Sequence, residues 1–564
     1  MNQTEPRTPP KRLWQLFLWV GIVLSLGCSR ENSTNQKAAM VVLNGKIWTG
    51  NEAQPWAEAM AIGGDSILLV GSTAQVRALV GDSTQVIEAR GQLVTPGFID
   101  THVHFIDGGF NLGSVQLRDA KNKEEFISRV AAFAKTVPPG TWITGGDWDH
   151  TNWGGELPQS AWIDSVTAEH PVFLQRLDGH MALANRKAMQ AAKVTRHTKD
   201  VPGGTIVRTP AGEPAGVFKD NAMNPFYSAI TDPPAPLKDR ALAAAMRYVA
   251  EQGVTSVHSM GTWADLEVYR RNNKQNRLQT RIYAVVPLAS WEELRDEVQK
   301  EGRGDKYLQI GGLKGFVDGS LGSHTAAFLQ PFTDAPADSG FFVTPPAELY
   351  QQVAGADKAG LQVMVHAIGD RANHEQLNIF ARVAQENGPR DRRFRIEHAQ
   401  HIAPQDIPRF HALQVIASVQ PYHAIDDGRW ADEVIGEERS KTTYPFRSLL
   451  DSKARITFGS DWYVAPATPL EGIYAAVTRR TIDEKNPTGW VPEQKITVEE
   501  ALRAYTASAA FASFEENRKG TLSPGKLADF VLLSQDITTM APEAIKGAKV
   551  VLTVVGGKVV YERK

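Results

Sequence analysis

Residues 97–105 read GFIDTHVHF, an apolar run that follows the turn Pro96-Gly97 and ends in two histidines two residues apart. Side chains alternate faces along an extended chain with period two, so His102 and His104 project to the same side and reach a common point. The Pro-Gly pair marks a change of direction into the strand. Asp100, one strand repeat back from His102, reads as a structural hydrogen bonder rather than a ligand.

Seven further apolar runs of the same texture follow: TSVHSM (255–260), RIYAVVPL (281–288), LKGFVDGS (313–320), QVMVHAIGD (362–370), FRIEHAQH (394–401), VIASVQPY (415–422) and ITFGSDW (456–462). Helical stretches such as LKDRALAAAMRYVAEQG and PAELYQQVAGADKAG lie among them, each ending in the glycine that stops a helix. Eight strands alternating with helices predict an α/β protein built as a (β/α)8 TIM-like barrel over residues 96–517. No GxGxxG follows any strand, which removes the argument for a dinucleotide fold.

Residues of about 106–240 break the alternation, and a structureless loop of that length is improbable in a compact domain, so they are expected to form an inserted lid subdomain after the first barrel strand. Short strand-like runs lie outside the barrel at both ends: MVVLNGKIWTG, SILLVG and TQVIEARGQLVTPG before it, LADFVLLS and KVVLTVVGGKVVYE after it. Residues 39–95 and 518–564 are therefore expected to build one small composite β-sandwich, with Gly556-Gly557 turning a hairpin.

The first 28 residues carry Arg7, Lys11 and Arg12, then the apolar run LWQLFLWVGIVLSLG, then Cys28, the only cysteine. The run is shorter than the ~20 residues that span a bilayer and suits the core of an export signal. Cys28 at its end resembles a lipoprotein lipobox, which predicts a signal peptide over 1–28, a polar tether over 29–38, and an exported bacterial lipoprotein held to a membrane through acylated Cys28. A single cysteine excludes an intramolecular disulfide. A formal net charge of −2 carries no electrostatic footprint for nucleic acid, so no such partner is expected.

Barrel active sites lie at the carboxyl ends of the strands. Lys314, His366, His398 and Asp461 occupy such positions, with His102 and His104, and together they offer the imidazole and carboxylate groups that Zn2+ or a similar divalent ion takes. These residues sit in motifs, KGFVDGSLGS, VHAIGDRA, IEHAQHI and FGSDW, whose order resembles that of the amidohydrolase superfamily. GGDWDHTNW, LQRLDGHMALANRKAM and ASVQPYHA narrow the resemblance to the amidohydrolase-3 branch, which includes N-substituted formamide deformylase.

The resemblance implies two Zn(II) ions: His102, His104 and Asp461 on one, His366 and His398 on the second, and carboxylated Lys314 bridging them. It implies hydrolysis of a small-molecule amide by a metal-activated hydroxide, with Asp461 as general acid and base. Other readings of the same residues stay open: an ester, lactone or cyclic-amide hydrolase, or a lipoprotein that binds a solute without turning it over. His180, Trp148, His258, Tyr422 and Trp462 are the candidates to line the substrate pocket, and the absence of an arginine cluster favours an apolar, partly aromatic amide. A homodimer is one option for assembly.

Overall fold

The structure, a computed structural model, describes residues 37–564. The expected export signal, with Cys28, and most of the expected tether lie outside them. Eight parallel strands form one sheet in sequence order: β1 (Phe98–Val103), β2 (Val254–Met260), β3 (Arg281–Pro287), β4 (Leu308–Phe316), β5 (Gln362–Ala367), β6 (Arg395–His398), β7 (Ile416–Val419) and β8 (Ile456–Phe458). Every strand read from the sequence is present. They are buried almost throughout, as parallel strands covered on both faces must be.

Closure happens at the carboxyl ends. The backbone N–H of Asp461 donates to the His102 carbonyl at 2.7 Å, and that of His104 to the Trp462 carbonyl at 2.6 Å. Asp100 clamps the same seam: its Oδ1 accepts from the backbone N–H of Ser460 (2.9 Å) and of His102 (3.2 Å). Gly459 is required here, because a Cβ on it would stand 2.7 Å from the His102 nitrogen.

Residues 115–220 form the insertion, a mixed six-stranded sheet ordered Gly204–Arg208, Pro214–Asp220, Met181–Ala184, Val172–Arg176, Ile143–Trp148, Val115–Gln116. Apolar clusters, one around Phe126, Trp148 and Leu174 and another in which Phe173 and Phe218 meet Phe226 of the following helix, give it a core apart from that of the barrel.

Both chain ends share one antiparallel region. Leu93–Pro96, from the amino-terminal side, pairs with Phe530–Leu533, which pairs with Val550–Val555 and through it with Lys558–Glu562. The last hairpin turns at Gly556 and Gly557, with φ of 55° and 70°, the left-handed pair that a two-residue loop needs. A four-stranded sheet ordered Ser66–Gly71, Ala59–Gly63, Met40–Leu43, Gln85–Glu88 is wholly amino-terminal. Met40, Met60 and Ile62 from it meet Val94, Phe530 and Val554 from the other sheet in one core.

A buried ion pair fastens this sandwich to the barrel floor. Arg281 of β3 donates through Nε and Nη2 to Asp529 at 2.7 and 2.8 Å, both residues being almost fully enclosed. Asp529→Ala leaves the guanidinium buried without a counter-charge and is expected to cost about 3–5 kcal/mol, read as a fall in the urea midpoint.

Candidate metal centre

The barrel seam delivers the first half of the site. His102 is fully buried, and its Nε2 lies 3.4 Å from Asp461 Oδ1; His104, part exposed, brings its Nε2 to 3.3 Å from the same oxygen. Ligand atoms around a tetrahedral zinc with bonds of ~2.0–2.1 Å stand about 3.4 Å apart, so the three fit one ion. Among the described residues the buried Asp461 Oδ1 has no hydrogen-bonding neighbour beyond these two imidazoles. Burial raises the Asp461 carboxyl, but hydrogen bonding and charge from His104 outweigh it and hold the group ionised, below its ordinary value.

The second half gathers around β5 and β6. The His398 ring lies 5.1 Å from that of His102 and 4.4 Å from that of His366. His398 Nδ1 is buried and unpartnered. Its ligand atoms, those of Asp461 and those of His423 lie within 4.8 Å of one another, a second group able to hold an ion. His366 differs: its Nε2 faces the Gly319 carbonyl at 2.9 Å and Asp318 Oδ1 at 3.7 Å. Lys314 places Nζ 3.2 Å from His102 Nε2, and burial pushes its amine down to about 8 against the pull of Glu397 and Asp461. Desolvation lowers His102, His366 and His398 well below the ordinary imidazole value, which keeps them in the neutral form that ligates metals.

Beneath the cluster a polar chain fixes His102. Its Nδ1 meets Glu397 Oε2 at 2.7 Å; Glu397 pairs with Arg395 at 2.8 Å, and Arg395 donates to the Thr101 carbonyl, Ser418 Oγ and His258 Nδ1. A carboxylate behind a ligating histidine sets the tautomer that leaves Nε2 free for the metal. Sequence alternation alone sends Glu397 and His398 to opposite faces. The structure keeps both useful by placing His398 and Ala399 at φ of 72° and 43°, left-handed backbone that non-glycine residues rarely adopt.

The cavity above is lined jointly by the insertion, through Asp149, Arg176, Asp178 and His180, and by barrel loops. His180 bonds Asp220 at 2.6 Å, and its ring lies tilted 4.9 Å from that of His366. Against the cost of burial, the Asp220 carboxylate raises the His180 imidazole above its ordinary value. The other four pocket candidates do not line this cavity. Trp148 is wholly inside the insertion, donating to the Leu174 carbonyl, while its neighbour Asp149 faces the cavity. Tyr422 packs on the barrel core, and His423, one residue on, takes the lining position. Trp462 stacks on Tyr248 at 4.8 Å beside Asp461. His258 is sealed inside the barrel against Arg395. In the first three the aromatic ring follows the core and the adjacent polar residue the cavity. The wall that results is polar and charged, not the apolar one expected.

A closed parallel barrel that collects histidines and a carboxylate at the carboxyl ends of its strands defines a metal-dependent hydrolase. The model of the amidohydrolase family matches residues 85–561, and the chain belongs to that family. It is 42% identical over 537 residues to Protein LONG AFTER FAR-RED 3 of Arabidopsis thaliana, covering 93% of this chain and 92% of the relative. N-substituted formamide deformylase of Arthrobacter pascens is 26% identical over 543 residues, with 94% and 99% covered. An uncharacterized metal-dependent hydrolase from Pyrococcus horikoshii OT3 superposes with a TM-score of 0.72 at 27% identity, covering 89% of this chain and 99% of that one.

Two outcomes follow from this geometry. Glu397→Gln keeps the shape behind His102 but removes the charge, and competition with a chelator is expected to show metal affinity about 10–100-fold weaker. Away from the cluster, His401 takes a bond from Gln400 Nε2 (3.1 Å) and faces Thr443 Oγ1 through Nδ1 (2.8 Å). Burial, with Arg439 nearby, pushes this imidazole from 6.5 down to about 3. The unfolded chain then binds a proton that the folded one refuses, so this contribution is complete above about pH 6.5 and is lost as pH falls towards 3, at about 1.4 kcal/mol per unit. In urea titrations across that window, His401→Gln is expected to shallow the loss by one proton's slope.

Proposed function

We propose that the protein hydrolyses a non-peptide carbon–nitrogen bond, an amide of a small molecule, with Asp461 carrying the proton. The observation that carries this reading is Asp461 Oδ1 itself: ionised, buried, free of other hydrogen bonds, and shared between the two histidines of the first strand. A relative whose name is N-substituted formamide deformylase, matched over nearly its whole length, supports the choice of bond.

Two Zn(II) ions would be held by this donor set, one by His102, His104 and Asp461 and the other by His366 and His398, and Lys314, as a carbamate, would supply the further anionic group. The reading is supported by the lowered Lys314 amine, since a lysine that is neutral part of the time can add CO2 and so acquire the negative charge that two close cations need. When bound, such ions supply Lewis acidity, acidifying water and polarising a carbonyl. The chain's own groups do the rest. Glu397 and Arg395 hold His102 in register, the Asp461 carboxylate accepts the proton of the attacking water and returns it to the leaving nitrogen, and the insertion forms part of the cavity wall. To the same reading belongs export, with an acyl anchor at Cys28, supported by the charged-then-apolar leader that precedes it.

Asp461→Asn is expected to keep the fold and much of the metal while kcat falls about 10²–10⁴-fold. The assay is a panel of N-formyl, N-acyl, cyclic-amide, ester and lactone compounds with metal content measured alongside. Wild-type turnover in the variant removes Asp461 from the chemistry; cleavage of esters or lactones but no amides reassigns the bond.

A further inference from the structure

We propose that Asp427 and Trp430, in the wall of the cavity that also holds His366, His398 and Asp461, form a subsite for a cationic group of the substrate: an ammonium, amidinium or guanidinium. This deepens the amide reading above and rests on it for the identity of the reacting bond.

The argument starts from the charges of the cavity. Asp149 is paired with Arg176 (3.1 Å) and Arg429 (3.4 Å), Asp178 with Arg176 (2.7 Å), and Asp426 with Arg429. These pairs also occupy both guanidinium groups. Arg176 gives its remaining Nε to His150, and Arg429 gives Nε to the Asp426 carbonyl, so neither arginine is left to receive an anionic substrate. Asp427 is the exception among the acidic residues of the wall. Among the described residues no Lys, Arg or His nitrogen lies within 4.0 Å of its carboxylate. Both of its hydrogen bonds, from Tyr444 Oη (2.5 Å) and Gln400 Nε2 (3.0 Å), fall on Oδ2. Among the described residues Oδ1 accepts from none, in a residue that lines the cavity.

That carboxylate is held still. Asp427 ends the helix Pro421–Asp427, where a spacing of four residues places it on one face with His423, and two donors clamp Oδ2. The backbone N–H of Trp430 donates to the Asp427 carbonyl at 3.0 Å, which ties the two residues into one turn, and Trp430 too lines the cavity. Among the described residues no Lys or Arg stacks on that ring. A carboxylate oxygen left open and an indole free of any cation, in the wall of one cavity, are the two elements that recognise organic cations, one by charge and the other by the ring quadrupole. Burial, with the charge of Asp426, pushes the Asp427 carboxyl up to about 7 against the pull of the Tyr444 hydrogen bond and of Arg176 and Arg429.

The test is calorimetric titration of the metal-loaded full chain with benzamidine and with its uncharged counterpart acetophenone. Benzamidine is expected to bind about ten-fold more tightly. Asp427→Asn keeps an acceptor for Tyr444 and Gln400 and is expected to bring the two ligands within about two-fold. Trp430→Leu reads the same subsite without touching that pairing, and is expected to cut the preference about three-fold; thermal midpoints of both variants report the fold. No detectable benzamidine binding, equal affinity for the two probes, or a preference that survives Asp427→Asn in folded protein overturns the subsite. Because binding is read without turnover, amide hydrolysis with no preference for charge overturns this subsite alone. Benzamidine binding through Asp427 in a protein that cleaves no amide overturns the amide reading alone.

Discussion

The seam between β1 and β8 is the constraint on which the rest depends. β8 spans only Ile456–Phe458, and the sheet closes through backbone bonds beyond its end, from Asp461 to His102 and from His104 to Trp462. The residues that exchange these bonds are the ones whose side chains converge on Asp461 Oδ1. Closing the barrel and assembling the metal centre are therefore a single event. Asp100, bonded to backbone on both sides of the seam, stiffens it, and Gly459 permits the approach by having no Cβ.

Around that seam the chain divides its polar groups into layers with different tasks. Inside the barrel, Arg395 and Glu397 neutralise each other and hold His102 from behind. At the strand ends, desolvation keeps imidazoles neutral and ready to ligate. Above them, the insertion and the barrel loops build a lattice of Asp–Arg pairs that is rigid because each guanidinium is forked between acceptors. A cavity so lined selects polar groups by position, since a substrate must match charges that cannot rearrange.

Much of this was legible in the linear order of residues. Period-two alternation at His102 and His104, the count of eight strand runs, and the long interruption after the first all survive in the structure. What misled was the choice between neighbours. Trp148 or Asp149, Tyr422 or His423, Trp462 or Asp461: in each pair one residue faces the core and the other the cavity, and hydrophobicity near a motif does not say which. His258 was misplaced for another reason, because a strand-borne histidine looks the same whether its depth along the barrel puts it at the mouth or against Arg395.

By itself, then, the sequence determined the class of fold, the family, and the residue types available to a metal, since these depend on periodicity, spacing and order, which are local properties of the chain. Only the tertiary structure decided which groups meet: Glu397 behind His102, His423 beside Asp461, Asp220 on His180, and Asp427 without a cation. Those pairings join residues as much as 295 positions apart, and two of the turns that aim them rest on left-handed backbone, at His398-Ala399 and at Asp461. No local pattern encodes such conformations, because they persist only where the packing around them outweighs their strain.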